Sequence, residues 1–469
     1  MTSYRKRNVN DFDNESNNIP DDTVFISKRQ KIKSSLHHPL GIKPWGNYYV
    51  DLLDAGSQNS CRDTCLGILA RLNDELILEV LGQLSAKDLL SLSSTSKILY
   101  CFATFDELWK QMVIQKYNGD WWWQGTWRLT FLKRSDPEYN VNTGHALCMD
   151  NFYSDTLYQP FLYGSMRIEQ FTSVENIDRC KNLSLDDFIN RYAKTNLPVI
   201  ITDVVTKWPA FGKWSMEYLV EKYGEILFRA EAIDIKLKNY ARYSADTTEE
   251  SPLYLFDKNF GNYCEGILED FSVPDYFSED FFRVLGSTFH KDPNSTSAWN
   301  AVITGSKKWI MYPPNTLPPG VFVSPDEAEV TAPVSLMEWY LNYYKGARKS
   351  DPRPLEGICR AGEIIFVPNG WWHMVVNLED SIAITQNFVG SYNLPNVLRF
   401  LRDKPDQISG FSSKAWPNRE DIYNVFCEKF RESYPNVLDE LGLVKPGGHE
   451  SSMWDKIKCD EGNEFIFGF

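Results

Sequence analysis

Two of the six histidines in this chain constrain its fold more than any other sequence feature. His290 and Asp292 are two positions apart in a β-rich region, so both side chains point to one face of an extended strand. His373 lies far along the same region, just after the turn at 368–370. Two histidines and one carboxylate are the ligand set that binds non-haem Fe(II) and leaves coordination positions open. The pattern therefore predicts a fold that brings two distant strands together, whereas two ordinary polar histidines remain the alternative reading.

The sequence pattern around these residues is typical of a double-sheet β core. Short apolar runs bounded by turns occupy 198–202, 309–312, 363–368 and 381–385, and helical patterns at 184–193 and 215–223 precede them. Short strands that follow helices indicate an α+β domain. We place this domain at 167–395.

Four other segments complete the predicted organisation. They are a disordered polar tail (1–66), a three-helix unit (67–113), a Trp-rich helical connector (114–166) and a C-terminal helical region (396–469) that packs outside the core or forms a dimer surface. The tail has basic clusters at 5–7 and 28–33, which fit either a nuclear import signal or an ordinary solvated tail, so we expect a location in the nucleus, the cytoplasm or both. Trp121, Trp122, Trp123 and Trp127 are interpreted as packing between the helical unit and the core.

Charge and composition restrict the classes of partner that this protein can bind. The formal net charge of −14 argues against a nucleic-acid-binding body and is compatible with a basic protein partner. No apolar run reaches bilayer length, and the nine cysteines lack the spacing of a zinc set, so we expect reduced thiols and no membrane.

The three-helix unit resembles an F-box. The resemblance rests on Leu72-Asn73-Asp74-Glu75-Leu76, on the segment 84–89 and on Leu108-Trp109, although the family usually has proline where Asn73 stands. It implies docking on a Skp-type adaptor and a cullin ubiquitin ligase. A plain helical bundle that only packs on the core is the alternative.

The β region resembles the JmjC oxygenases. The matching motifs are 289–293, 296–300, 305–309, 370–373 and 382–388, and they are most similar to the arginine-demethylase/lysyl-hydroxylase branch and to the F-box JmjC proteins of fungi and plants. The resemblance implies a double-stranded β-helix of the cupin (jelly-roll) type that holds Fe(II) and 2-oxoglutarate.

The resemblance also assigns roles to individual residues. His290, Asp292 and His373 would bind iron, and Lys307 would pair with the distal carboxylate of 2-oxoglutarate. Tyr254 and Thr385 would donate hydrogen bonds to that carboxylate, and Asn300 would lie near the iron-binding end of the cosubstrate. Lys308 is expected to face away from the site. Trp371 and Trp372 are expected to pack within the barrel.

One departure from the family concerns the segment before His290. Only Ser287, Thr288 and Phe289 separate a helix-like stretch at 280–286 from the His290 strand, whereas relatives have an additional barrel strand there. A missing strand would expose sheet edges and weaken iron binding.

Two classes of function therefore follow. The first is a dioxygenase that hydroxylates a lysyl or other side chain or, as second choice, demethylates a histone. The other is a non-catalytic F-box receptor with a degenerate barrel, and a combination of both roles is a third possibility.

Overall fold

A computed structural model describes residues 37–47, 60–140, 147–280, 290–409 and 418–440, apart from the single positions 168, 334 and 436. The basic clusters of the N-terminal tail, the segment 281–289 and the chain after 440 lie outside the described residues. None of the helices in the described ranges combines the length and apolarity needed to cross a membrane.

The N-terminal third is helical. Its helices are α1 (Cys61–Cys65), α2 (Asp74–Gly82), α3 (Ala86–Ser93), α4 (Lys97–Ala103), α5 (Asp106–Tyr117), α6 (Trp127–Ser135) and α7 (Asp155–Ser165). Polar caps set several of the starts: the side chains of Asn73, Ser85 and Ser96 each accept a hydrogen bond from the main-chain N–H three residues on. Asn73 thus caps the first F-box-like helix at the position where the family usually has proline, because its side chain satisfies the main-chain N–H of Leu76.

The tryptophan cluster joins this helical part to the rest of the chain. Trp121, Trp123 and Trp127 are buried, and all three rings pack on Tyr243, with ring centroids 5.0–5.8 Å apart. Trp122 is 40 % exposed, and the guanidinium of Arg242 lies over its ring. The cluster is therefore mainly packing, as predicted.

The central domain contains short helices and twelve strands within the described residues. The helices are α8 (Leu185–Phe188), α9 (Pro209–Lys213), α10 (Met216–Tyr223), α11 (Leu237–Asp246), α12 (Phe260–Tyr263), α13 (Leu336–Trp339) and α14 (Lys345–Ala347). The strands are β1 (Asp178–Cys180), β2 (Val199–Ile201), β3 (Leu227–Ala230), β4 (Ile233–Lys236), β5 (Ser297–Thr304), β6 (Ser306–Tyr312), β7 (Phe322–Val323), β8 (Val330–Thr331), β9 (Leu355–Arg360), β10 (Ile364–Val367), β11 (Trp372–Asn377) and β12 (Ile382–Phe388).

Two facing sheets form the β core. One sheet has the order β1-β2-β10-β5-β12 and the other β11-β6-β9, whereas β3-β4 and β7-β8 are separate hairpins. Asn176 and Ile177 donate main-chain hydrogen bonds to the Glu356 carbonyl, which joins the β1 side of one sheet to β9 of the other. This is the double-sheet, cupin-type α+β architecture predicted from the sequence.

Strand alternation determines what faces the space between the sheets. Val302 of β5, Trp309 of β6 and Ile365 of β10 belong to one apolar cluster between the sheets. Trp299 of β5 and Ile310 of β6 point the opposite way and belong to clusters on the outer faces, where helices cover them. Because successive strand residues point to opposite sides, every second residue is available to line an interior site.

A buried ion pair lies on the outer face of the smaller sheet. The ammonium of Lys308 is 2.8 Å from Glu356 and donates to the Val174 carbonyl at 2.7 Å, and the Tyr344 hydroxyl donates to Glu356 at 2.9 Å. Neither side chain of the ion pair exceeds 1 % exposure. Lys308 therefore faces away from the barrel interior, as predicted, but it points into protein rather than solvent.

The C-terminal helices pack together beside the barrel. They are α15 (Leu394–Asp403), α16 (Glu420–Ser433) and α17 (Val437–Glu440), and they share an apolar cluster that includes Leu398, Leu401 and Phe426. Helix α15 also contacts the 3₁₀ turn Pro293–Ser295, directly after Asp292. The predicted helical region thus touches the barrel next to one of the candidate metal ligands.

Removing one partner of the buried ion pair tests its role in stability. Lys308→Met leaves Glu356 charged and buried, so we expect the free energy of unfolding, measured in urea, to fall by about 3–5 kcal/mol. The double variant Lys308→Met/Glu356→Leu should recover most of that loss. Arg402→Met, which breaks an exposed pair with Asp403, is the control and should leave the free energy of unfolding nearly unchanged. A Lys308→Met protein as stable as wild type would contradict this account.

Candidate metal centre

The three predicted metal ligands come together. One ligand atom from each of His290, Asp292 and His373 lies within 4.8 Å of the others. The two histidines form an antiparallel bridge: each main-chain N–H donates to the other's carbonyl, at 3.3 and 3.1 Å. Their ring centroids are 4.2 Å apart. Main-chain pairing, and not side-chain contact alone, therefore brings the distant parts of the chain together.

The surroundings of His373 determine which of its nitrogens is available. Its Nδ1 lies 3.0 Å from the Trp371 carbonyl oxygen, which can only accept a hydrogen bond. Nδ1 therefore carries the hydrogen, and Nε2 keeps the lone pair that a metal needs. Burial lowers the pKa of His290 well below its usual value, and the nearby His373 acts in the same direction. At neutral pH His290 is thus unprotonated, as a metal ligand must be.

Asp292 is held by an asparagine that the sequence analysis did not single out. The Asn387 amide donates hydrogen bonds to Asp292 Oδ1 and to the Thr296 hydroxyl, both at 2.9 Å. The other carboxylate oxygen, Oδ2, is buried without a hydrogen-bond partner among the described residues. Burial raises the pKa of Asp292, although the nearby His373 and the hydrogen bond from Asn387 oppose the shift. A buried carboxylate oxygen without a hydrogen-bond partner, beside two histidine rings, fits a divalent cation.

Asn387 could have been found from strand periodicity. It lies two residues after Thr385 on β12, so both side chains face the interior. Asn387 lies within the motif 382–388, but its residue type alone indicates no role.

Lys307 lies on the interior face of β6, opposite Cys359 of β9. It is 5 % exposed, and no counter-ion for it lies within the part of the chain that the structure describes. Burial lowers the pKa of Lys307 to about 8. A buried lysine without a carboxylate partner fits an anionic ligand group.

Asn300 and Thr385 lie side by side on the interior face. They are directly opposite each other in the pairing of β5 with β12. Asn300 Oδ1 is buried without a hydrogen-bond partner among the described residues, whereas the Thr385 hydroxyl donates to the Trp299 carbonyl at 2.9 Å. Thr385 would have to redirect this hydrogen to serve a carboxylate.

Tyr254 is the predicted site residue that the structure does not join to the others. It follows α11, its residue is 39 % exposed, and its ring stacks on Phe256 at 6.1 Å. Burial raises the pKa of Tyr254. Within the described residues, its hydroxyl makes no hydrogen bond with Lys307 or Thr385. Its role stays a prediction.

The two tryptophans before His373 are packing, as predicted. Trp371 belongs to the apolar cluster between the sheets, and Trp372 belongs to the cluster outside the smaller sheet. The Lys291 ammonium lies 4.8 Å from the centroid of the Trp372 ring.

The segment that precedes His290 is only partly described. Residues 281–289 lie outside the described ranges, so the hypothesis of a missing barrel strand is not tested. On its side away from β6, β11 pairs only with His290 among the described residues. The adjoining Asp280 accepts hydrogen bonds from Gln386 at 2.8 Å and from the Val389 main chain at 3.1 Å, which ties the segment's start to β12.

The fold and the site together define a cupin-type barrel with a 2-His-1-carboxylate centre. Comparison with known families agrees: residues 236–393 match the Cupin-like domain, and residues 69–111 match the F-box domain. The second match lies within the predicted boundaries of 67–113.

Three relatives place the chain more closely. Arginine-specific demethylase JMJ22 of Arabidopsis thaliana is 40 % identical over 92 % of this chain and 88 % of its own length. Lysine-specific demethylase JMJ21 of the same plant is 34 % identical over 72 % of this chain but only 38 % of its own length. The bifunctional arginine demethylase and lysyl-hydroxylase psr-1 of Caenorhabditis elegans is 33 % identical over 47 % of this chain and 62 % of its own length. The chain belongs to the JmjC family, in the branch that combines an F-box with the cupin-like barrel.

The missing counter-ion of Lys307 gives a pH-dependent prediction for the protein without ligands. Because burial lowers the pKa of Lys307 from 10.5 to about 8, the charged ammonium costs stability below pH 8. We expect Lys307→Met to raise the free energy of unfolding at pH 7 by on the order of 2–3 kcal/mol.

That gain should shrink between pH 8 and pH 10.5, where the folded wild-type protein releases the proton earlier than the unfolded chain. Urea unfolding at pH 7 and pH 9.5 measures the gain in stability at neutral pH and its decrease at higher pH. Lys87→Met, at an exposed position, is the control. A gain that is equal at both pH values would contradict the assignment.

Proposed function

We propose that this protein is an Fe(II)- and 2-oxoglutarate-dependent oxygenase acting on a basic side chain of a protein. The observation that carries the proposal is the convergence of His290, Asp292 and His373 within 4.8 Å, in a barrel whose interior also contains Lys307, which has no counter-ion in the described ranges. A cation site and an anion site inside one barrel match the two charges of such a cofactor pair.

The chain's own residues would bind and orient both groups. His290, His373 through Nε2, and Asp292 through Oδ2 hold the iron, while Asn387 keeps the carboxylate in place. Lys307 pairs with the distal carboxylate of 2-oxoglutarate. Bound iron supplies the oxygen activation that converts 2-oxoglutarate and O₂ to succinate and CO₂ while a substrate C–H bond is hydroxylated.

The remaining predicted contacts complete the cosubstrate site. Thr385 and Tyr254 would donate hydrogen bonds to the distal carboxylate, and Asn300 would lie near the end that binds iron. Apolar side chains of the interior cluster, such as Val302 and Ile365, exclude water from this space and strengthen each charge interaction within it.

The names of the relatives and the charge of the chain support a basic substrate. The relatives are named as demethylases of arginine or lysine and as a lysyl-hydroxylase. Hydroxylation of a side-chain carbon and removal of an N-methyl group both begin with oxidation of a C–H bond, so one site serves both. A net charge of −14 favours approach of a basic protein, in the nucleus, the cytoplasm or both.

Succinate formation tests the activity. Purified protein with Fe(II), ascorbate and 2-oxoglutarate should form succinate, faster with a methylarginine or lysine peptide, and His290→Ala should reduce the rate at least about 100-fold because one ligand is lost. His37→Ala, at an exposed histidine outside the barrel, should match wild type. Formaldehyde release distinguishes demethylation from hydroxylation. Equal succinate formation by wild type and His290→Ala would reject the assignment.

A second role, which the F-box supports, is docking on a Skp-type adaptor of a cullin ligase. Ile68, Leu76 and Val80 are 78 %, 46 % and 51 % exposed, so the start of the F-box presents apolar side chains to solvent. Exposed apolar side chains grouped on one small module are typical of a docking surface. If the barrel bound no iron, this surface would support the non-catalytic receptor instead.

Charge on this surface should abolish docking. We expect Leu76→Asp/Val80→Asp to lower adaptor affinity at least 100-fold, because two apolar contacts would be replaced by desolvated carboxylates. Surface plasmon resonance with purified adaptor provides the measurement. Leu227→Asp, an exposed leucine of β3, is the control and should bind normally. Binding unaffected by the double substitution would place the adaptor elsewhere.

A further inference from the structure

We infer that Asn294 and Asn369 are positioning residues that make the C-terminal helical region part of the metal site. The inference rests on the proposed iron centre and adds residues that do not contact the metal. It follows from a chain of asparagine hydrogen bonds that links both ligand-bearing turns to the segment 394–409.

The first link is at Asn294, two residues after Asp292. Asn294 is 1 % exposed, and both ends of its side-chain amide are used. Its Nδ2 donates to the Ser409 carbonyl at 3.2 Å, and its Oδ1 accepts from the Ser409 main-chain N–H at 3.0 Å. One buried side chain therefore fixes the main chain after α15 against the turn that follows Asp292.

The backbone of that turn needs such support. Asn294 and Ser295 have φ values of 53° and 58°, so two successive non-glycine residues adopt the left-handed conformation. This conformation is unfavourable for residues other than glycine. Asparagine tolerates this conformation better than most residues, and its paired contacts with Ser409 offset the cost.

The second link is at Asn369, in the turn that leads to His373. Its amide donates to the Ser295 carbonyl, and its Oδ1 accepts from the Asn396 amide at 3.1 Å. Asn396 belongs to α15. The turn after Asp292 and the turn before His373 are thus joined to each other and to the same C-terminal helix.

The consequence is thermodynamic coupling between metal binding and docking of the C-terminal segment. A cation that binds His290, Asp292 and His373 favours the turn geometry to which Ser409 and Asn396 are bonded. By reciprocity, loss of these bonds must weaken cation binding, and cation binding must stabilise the docked segment. Residues that orient metal ligands typically change affinity 10- to 100-fold.

The test is a titration of the full chain with Co²⁺, which reports binding by its visible absorption without turnover. We expect Asn294→Ala to raise the Co²⁺ dissociation constant at least about 10-fold. Asn396→Ala, which removes the contact with Asn369 and a surface hydrogen bond from Arg399, should raise it less. Asn190→Ala, at an exposed asparagine that accepts a hydrogen bond from Lys194, is the control and should match wild type.

Hydrogen exchange separates positioning from a purely structural role. Co²⁺ should slow exchange in the peptide that covers 394–409 of wild type, and this protection should be lost in Asn294→Ala. If Asn294→Ala does not fold, Asn396→Ala answers the same question. Wild-type Co²⁺ affinity in a folded variant would overturn the inference, whereas a wild-type protein that binds no Co²⁺ would overturn the proposed function first.

Discussion

Two main-chain hydrogen bonds between His290 and His373 are the interaction on which the site depends. They are the only pairing, within the described residues, that β11 has beyond β6, yet they set the separation of two of the three candidate ligands. The buried side-chain amides of Asn294, Asn369 and Asn387 add hydrogen bonds beside the three candidate ligands, so main-chain pairing and side-chain contacts together hold the site.

Strand alternation explains why two adjacent lysines, Lys307 and Lys308, can have different roles, one in binding and one in structure. Lys307 and Lys308 are adjacent and both buried, but β6 turns the first toward the interior and the second toward the outer face. Lys308 has Glu356 as counter-charge, and its burial is compensated. Lys307 has none among the described residues, so its buried charge lowers stability until an anion enters. The contrast supports binding by the unpaired lysine more strongly than its position in a motif does.

The sequence predicted what depends on local pattern. The spacing of His290 and Asp292 indicated two ligands on one face of a strand, and strand alternation placed Lys307 and Lys308 on opposite faces. Short strands after helices indicated the α+β class, whereas the role of Lys307 and the cupin-type barrel came from the family resemblance. The three-helix unit followed from helical periodicity, and the F-box match at 69–111 lies within it.

The contacts that the sequence did not predict join residues distant in the chain. Asn387 reaches Asp292 from a neighbouring strand, and Asn294 reaches Ser409 in the segment after α15. Nothing in the local pattern distinguishes these asparagines from those in loops, because their partners are carbonyls and carboxylates whose location only the tertiary fold determines. Asn387 alone had a usable signal, its two-residue offset from Thr385.

The junction between the helical module and the barrel constrains how the two proposed roles can coexist. Lys110 of α5 pairs with Glu249 of the central domain at 2.7 Å, Trp127 donates to the same carboxylate, and Trp123 donates to Asp246 at 3.0 Å. These polar contacts surround the aromatic packing on Tyr243, so the F-box is held against the barrel domain by a specific interface. An adaptor docked on the F-box would therefore stand in a fixed relation to the metal centre, and a protein whose side chain occupies that centre would be presented to the ligase in one orientation. Oxidation and ubiquitin transfer would then select the same bound substrate, since release from the barrel ends access to both.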